Sequence, residues 1–286
     1  MNSIDIDSCE CFAQCYNCVS FPFHHNLHEH ELFELHNLLD LAERQGQSPT
    51  FAHWSNGAVN VNDRWESGSG LRYSLRQTIR DIAVNNSLAV LKHVEQDRIF
   101  GPLVHAIQER VLELAGARMR GDAISGRGTL LIASPGRITS YHIDSDVNFL
   151  FQIRGHKLFC VFDPDDRNVL PHEELENYFL GDANGAIFKP DREPDAKSYD
   201  LGAGCGVHVP CMSGHWAKNL DSPSVALSIN WDLRSVTSTG RVYRFNGRLR
   251  RLGLNPVPPG VSHWRDNVKT TALELLQQAA RLKGGA

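Results

Sequence analysis

The chain lacks any run of five or more basic residues, and its 29 Lys and Arg are outnumbered by 33 Asp and Glu, a formal net charge of −4. A nucleic-acid footprint is therefore not expected. No stretch of 18 apolar residues occurs, so no membrane span is expected. The start, Met1 to Cys9, has no basic segment followed by an apolar one, so a secretory signal is not expected and the cytoplasm is the default location. Gly and Pro, 23 and 13 residues, are too few for a collagen-like or linker-rich chain. No internal repeat is visible. What remains is ordinary globular composition, 41% hydrophobic and 22% charged, at a length of 286 residues that suits one large domain with helical additions.

The seven cysteines are an odd count, read as thiols of a reducing compartment. Four crowd the start: Cys9, Cys11, Cys15 and Cys18. Their C-x-C-x3-C-x2-C spacing could hold zinc but lacks the paired C-x2-C layout of zinc knuckles. The other reading is an N-terminal arm whose small thiols pack beneath a neighbour. His24, His25, His28, His30 and His36 follow, either as a second metal site or in surface and cap roles.

Residues 1–28 read as an arm. His30–Gln45 places Leu32, Leu35, Leu38, Leu39 and Ala42 at helical spacing, and Leu75–Gln96 and Pro102–Ala117 read as helices, with Asn86 and Ser87 able to end one and cap the next. From Gly128 the texture changes to short apolar runs broken by turn residues: Thr129–Ser134, Ile138–His142, Val147–Ile153 and Lys157–Phe162. Residues 164–200 form a polar, Pro-containing insertion. Strands resume near Gly206–Val209, His215–Asn219 and Val225–Asp232, and helices near Gly240–Leu252 and Arg265–Leu282. The expectation is a mainly β chain with flanking helices: helical elements packing on a barrel over 1–127, a jelly-roll core over 128–235, and helices over 236–286. The last helix presents Val268, Ala272, Leu275, Leu276, Ala279 and Leu282, either to its own barrel or to a second copy as a homodimer contact.

One set of residues carries chemistry. His142 and Asp144 lie two apart in a strand-like run, so they face the same side, and His215 follows in a distant strand. Two imidazoles and one carboxylate on one face of a metal match the ligand set of non-haem Fe(II) oxygenases. Neutral imidazoles hold Fe(II) without over-stabilising Fe(III). The single carboxylate leaves one net positive charge, and three positions stay open for a bidentate oxoacid and O2. A zinc hydrolase or a cupin-like isomerase or sensor without oxygenase activity could use the same three residues. In Val225–Asp232, Val225, Leu227 and Ile229 share one face while Ala226, Ser228, Asn230 and Asp232 share the other, a small polar face suited to a cavity.

Thr139, His142, Asp144, Asn148, Phe149, Gln152, Ile153, Gly155 and Lys157, with His215, Asn219, Leu220 and Asn230, together resemble the Jumonji C family of Fe(II)- and 2-oxoglutarate-dependent oxygenases. The likeness is to the branch containing the asparaginyl hydroxylase that inhibits hypoxia-inducible factor, and it covers about residues 128–235. It implies a double-stranded β-helix (cupin/JmjC jelly roll) with His142, Asp144 and His215 on Fe(II), and 2-oxoglutarate and O2 as co-substrates. It further implies that Lys157 and Thr139 hold the distal carboxylate of 2-oxoglutarate, with Asn148 and Asn230 as nearby amides. Lys157 also fits on charge, since a dianion in a dry barrel needs a fixed cation. The retained Asp144 favours hydroxylation over halogenation, because related halogenases lack this carboxylate; desaturation or demethylation would use the same ligands.

Thr139 and His142 are three apart, so a regular strand would put them on opposite faces and a bend or bulge must intervene. Cys211-Met212-Ser213-Gly214 replaces the aromatic run that the family often has before the distal His. Tyr73 is the candidate for the family's upstream tyrosine, and Arg234 is a rival oxoacid cation. The substrate, a protein or peptide side chain or a small molecule, is left open. Selectivity is expected in the 164–200 insertion, with Tyr178, Phe179 and Arg192, and in the Trp54–Trp65 segment.

Overall fold

Residues 4–7, 11–46, 48–64 and 73–284 are described by a computed structural model. Cys9 and Trp65, and the side chains of Cys11, Leu276, Ala279 and Leu282, lie outside the described residues. In chain order the elements are α1 (Cys11–Gln14), β1 (Phe21–His24), α2 (Leu35–Gln45), β2 (Ala52–Asn56), α3 (Leu75–Arg80), β3 (Ser87–Lys92), α4 (Gly101–Asp122), β4 (Ala123–Ala133), β5 (Ile138–His142), β6 (Val147–Arg154) and β7 (Lys157–Val161). They continue with α5 (His172–Phe179), β8 (Lys197–Leu201), β9 (Cys205–Val209), β10 (His215–Asn219), β11 (Ser224–Leu233), α6 (Arg234–Arg251) and α7 (His263–Gly284).

Two sheets face each other. One has the order β1-β9-β6-β11-β4-β3-β2, the other β5-β10-β7-β8, and all pairings are antiparallel. From β4 onward successive strands fall in alternate sheets until β8, and the chain then winds back to interleave β9, β10 and β11 with the first four. That is the double-stranded β-helix.

The alternation along β11 shows why the sequence takes this form. Val225, Leu227, Ile229 and Trp231 point outward into a core completed by Phe149 and Phe151 of β6 and by Val104, Ile107 and Val111 of α4. Burying each such aliphatic side chain contributes about 2 kcal/mol. The intervening residues point inward. Ala226 packs with Leu150, Phe159, Val161 and Ala217 in a second core that closes one end of the barrel. Ser228 and Asn230 face a cavity instead.

Three sequence expectations change. Leu75–Gln96 is not one helical stretch: after α3, Asn86 takes a left-handed φ of 48° and Ser87 opens β3, which is buried between β2 and β4. Apolar periodicity does not separate a fully buried short strand from a helix. Residues 1–127 therefore add three strands, β1, β2 and β3, to the larger sheet and are not only helical packing. Second, α2 begins at Leu35; His30 accepts a hydrogen bond from the Leu32 amide and caps a short 3-10 turn. Third, the 164–200 insertion contains α5 and much of β8, which pairs with β7 along its whole length. Among the described side chains of α7 the buried apolar residue is Leu273, while Val268 and Leu275 are exposed.

Candidate metal centre

His142 and His215 are directly paired across β5 and β10, and Asp144 follows β5 by two residues. The pairing runs His215↔His142, then Ala217↔Thr139, so two residues of β10 span three of β5. This is a bulge in β5. It turns Thr139 and His142 to the same side, and both line one cavity. Met212, at a left-handed φ of 61°, sends its amide to the Asp144 carbonyl at 2.8 Å, tying the two ligand-bearing segments together. Gly214 lies against Tyr141: a Cβ there would sit 2.2 Å from the Tyr141 hydroxyl and 2.6 Å from its ring. The Cys211–Gly214 segment thus serves to bring the backbone close enough for His215 to pair with β5.

The donor atoms of His142, Asp144 and His215 all lie within 4.8 Å of one another. Asp144 Oδ2 is 3.7 Å from His142 Nε2 and 3.6 Å from His215 Nε2. His142 Nδ1 donates to the Ser140 carbonyl at 2.7 Å and His215 Nδ1 to the Ser213 carbonyl at 2.9 Å. These bonds select the tautomer that leaves both Nε2 lone pairs facing the carboxylate. Burial lowers the pKa of each imidazole to about 4, with the neighbouring His142 adding to the effect at His215, so both are neutral at physiological pH. Burial raises Asp144. Two neutral nitrogens and one carboxylate, with bonds of about 2.1 Å spanning at most about 4.2 Å, form a donor set that small side-chain rotations close around one divalent ion. Among the described residues it is the single such donor group.

The cavity beside it is about 340 Å³ and is lined by Thr139, Asn148, Lys157 and Asn230 as well as the three donors. His142, Asp144, His215, Thr139, Asn148, Lys157 and Asn230 are thus brought to one cavity. Lys157 is 6% exposed, and among the described residues its ammonium has no ion-pair or hydrogen-bond partner; burial alone lowers its pKa to about 8. It is not an exposed strand lysine. Gly155, at φ 75°, makes the β6–β7 turn that sets Lys157 in place, and a Cβ there would meet the Pro223 carbonyl oxygen at 2.3 Å. Gln152 supports the strand itself. Its amide nitrogen donates to the Arg154 carbonyl at 2.7 Å and to Ser224 Oγ at 3.0 Å, covering a bulge in β6.

Asn148 and Asn230 are partnered amides. Ser228 Oγ lies 2.9 Å from Asn148 Oδ1 and 2.7 Å from Asn230 Oδ1, and Asn230 Nδ2 donates to Asp146 Oδ1 at 3.2 Å. Asp146 leads to Arg127, which the sequence pattern did not single out. Its guanidinium donates to Asp146 Oδ2 at 2.8 Å and to Asp232 Oδ1 at 2.9 Å. Both carboxylates hold its pKa above the ordinary value, against burial, and burial together with the nearby Asp144 raises Asp146. The inward phase of β4, with Arg127, Thr129 and Leu131 alternating, was the signal available for Arg127. Lys92 and Val90 also line the cavity, and the helical reading of β3 hid them.

Two candidates fall away. Arg234 donates to the Gly121 and Ala123 carbonyls at the start of α6 and is not among the cavity-lining residues. Tyr73 is 38% exposed and likewise does not line the cavity. In the insertion, Tyr178 Oη accepts from the Ser145 amide at 3.1 Å, next to Asp144, whereas Phe179 stacks on Tyr243 and Arg192 pairs with Asp166 and Asp195. Near the N-terminus, Cys15 and Cys18 are free thiols. His25 accepts from the Leu27 amide.

No family model matches the chain, and no curated protein matches its sequence. Among solved structures it is similar to Escherichia coli YcfD, with 13% identity over 96% of this chain and 69% of that one, at a TM-score of 0.53. A second structure of that protein, described as a ribosomal oxygenase, aligns with a TM-score of 0.48 over 92% of this chain and 64% of that one, again at 13% identity. Bacillus subtilis oxalate decarboxylase aligns over 38% of this chain and 22% of its own, with 21% identity and a TM-score of 0.26. At such identities the likeness is one of fold. No helix of the described residues is long and apolar enough to cross a membrane. The strand interleaving, the likeness to YcfD and the His-Asp-His group in the barrel converge: the chain has the double-stranded β-helix fold of the JmjC/cupin type.

Proposed function

We propose that the chain is an Fe(II)- and 2-oxoglutarate-dependent oxygenase that hydroxylates a C–H bond. The observation that carries this reading is Lys157, a buried ammonium without a partner among the described residues, in the same cavity as the His142, Asp144 and His215 donors. The metal-binding hydrolase or isomerase reading gives Lys157 and Thr139 no common task, whereas a co-substrate with two carboxylates does. His142, Asp144 and His215 would hold the ion, and Lys157 with the Thr139 hydroxyl would hold the distal carboxylate of 2-oxoglutarate. Bound Fe(II) supplies oxidative decarboxylation of the oxoacid to succinate and CO2, coupled to oxidation of the substrate by O2. Asn148, Ser228 and Asn230 keep a polar wall opposite the imidazoles, and the core of Leu150, Phe159 and Ala217 excludes water from the closed end.

The test is succinate formation from 2-oxoglutarate with added Fe(II) and ascorbate, alongside 2-oxoglutarate binding to the metal-loaded protein. Turnover that disappears in His142→Ala supports the reading. Absence of both turnover and binding rejects it in favour of a cupin-like metal protein without oxygenase activity.

A further inference from the structure

Besides the His142 and His215 imidazoles, the cavity is lined by four basic side chains: Lys92, His93, Arg127 and Lys157. Three are accounted for. Arg127 is held by Asp146 and Asp232, His93 lies 3.1 Å from Glu95, and Lys157 is assigned to the co-substrate under the reading above. Lys92 is half-buried on β3, and among the described residues its ammonium has no ion-pair or hydrogen-bond partner. An ammonium in a partly enclosed cavity calls for an anion.

Strand register separates Lys92 from Lys157. Lys92 pairs with Thr129, and Thr129 with Ser228, so the three form one row across the larger sheet. Thr129 lies four residues before the end of β4, and His142 four residues into β5 beyond the corner that joins them. The same count holds on the other side, where His215 is four residues before the end of β10 and Ser228 four residues into β11. Both corners therefore set the Lys92 row level with the metal-binding imidazoles. Lys157 opens β7 and pairs with Asn219, the last residue of β10, at the corner end. Four residues of strand, at about 3.3 Å each, separate the two levels by roughly 13 Å. A co-substrate reaching from the metal to Lys157 extends away from Lys92.

We propose that Lys92 is a specificity-determining residue, whose ammonium receives a carboxylate of the substrate and holds it level with the metal centre. This rests on the oxygenase reading. A carboxylate fits better than a phosphate: the row offers one cation with the Thr129 hydroxyl beside it, while Asp146 lines the same cavity and disfavours a second negative charge.

The experiment is calorimetry on Mn(II)-loaded protein, with and without saturating 2-oxoglutarate. The probes are N-acetylglycine and N-acetyl-glutamate α-amide, for a terminal and a side-chain carboxylate, each against its neutral amide. Wild type should prefer at least one carboxylate over its amide by tenfold or more, and which one identifies the source. Lys92→Ala should abolish the preference and Lys92→Glu reverse it, with 2-oxoglutarate affinity unchanged within twofold. The proposal is overturned by a wild type without preference, by a preference that survives in Lys92→Ala, or by weakened 2-oxoglutarate binding in that variant, which would move Lys92 to the co-substrate. If wild type binds no 2-oxoglutarate, the oxygenase reading falls, and the arm without it still decides whether Lys92 selects a carboxylate.

Discussion

Replacing Lys157 with methionine separates stability from binding, because the two should move in opposite directions. In the folded protein, burial lowers this lysine from 10.5 to about 8, which at 1.36 kcal/mol per pH unit is a destabilisation of roughly 3 kcal/mol. The sign follows from proton counts. Below about pH 8 both folded and unfolded chains carry the proton, and the destabilisation is fully present. Between about 8 and 10.5 the unfolded chain holds a proton that the folded one has released, so stability rises with pH across this window. Lys157→Met should therefore stabilise the metal-free protein at pH 7 by up to about 3 kcal/mol, roughly 5 °C in melting temperature, and the gain should shrink toward zero by pH 10.5. Binding should go the other way, since a buried carboxylate left without its cation costs about 2–3 kcal/mol, or on the order of a hundredfold in 2-oxoglutarate affinity. Urea denaturation of both proteins at pH 7 and 10, with calorimetric titration of 2-oxoglutarate, reads both quantities. A variant less stable than wild type at pH 7, or one with unchanged affinity, would refute the argument that this ammonium is an uncompensated charge awaiting a ligand.

Arg127→Ala leaves the Asp146 and Asp232 carboxylates without their shared cation and should cost about 2 kcal/mol in urea denaturation, with partial recovery in Arg127→Lys. Full retention of stability would mean that the guanidinium is solvated rather than structural. Gly214→Ala places a Cβ against Tyr141 and should destabilise by about 1–3 kcal/mol while weakening Mn(II) retention, with recovery on combining it with Tyr141→Leu. If metal retention is untouched, the close approach does not position His215. Arg234→Ala, whose side chain caps carbonyls at Gly121 and Ala123, should leave 2-oxoglutarate affinity unchanged in the same titration; a tenfold loss would restore it as the oxoacid cation.

The strands from β5 to β7 and from β9 to β11 were legible to within a few residues because each apolar run is bounded by turn residues, while β4 begins six residues before the expected Thr129. β3 was not legible. Its Ser-Leu-Ala-Val-Leu-Lys run is buried on both faces, so it carries no period-2 signal, and with it went Val90 and Lys92. β8 was missed inside a polar insertion because it is an edge strand, recognisable by its partner β7 rather than by its own composition.

The sequence by itself determined the donor types, the spacing of His142 and Asp144, and the polar inner phase of β11, since these depend on side-chain chemistry and on a strand periodicity of two. The family resemblance, by setting Thr139 beside the donors, also called for a bend or bulge between Thr139 and His142. Only the tertiary structure decided that the bulge lies in β5 and that His215 pairs with His142 across seventy-odd residues of chain. Tertiary structure alone also left Lys157 buried without a partner among the described residues and set Lys92 at the level of the His142 and His215 imidazoles. Those facts follow from register between strands distant in sequence, and register is fixed by packing and corner geometry that no local pattern encodes.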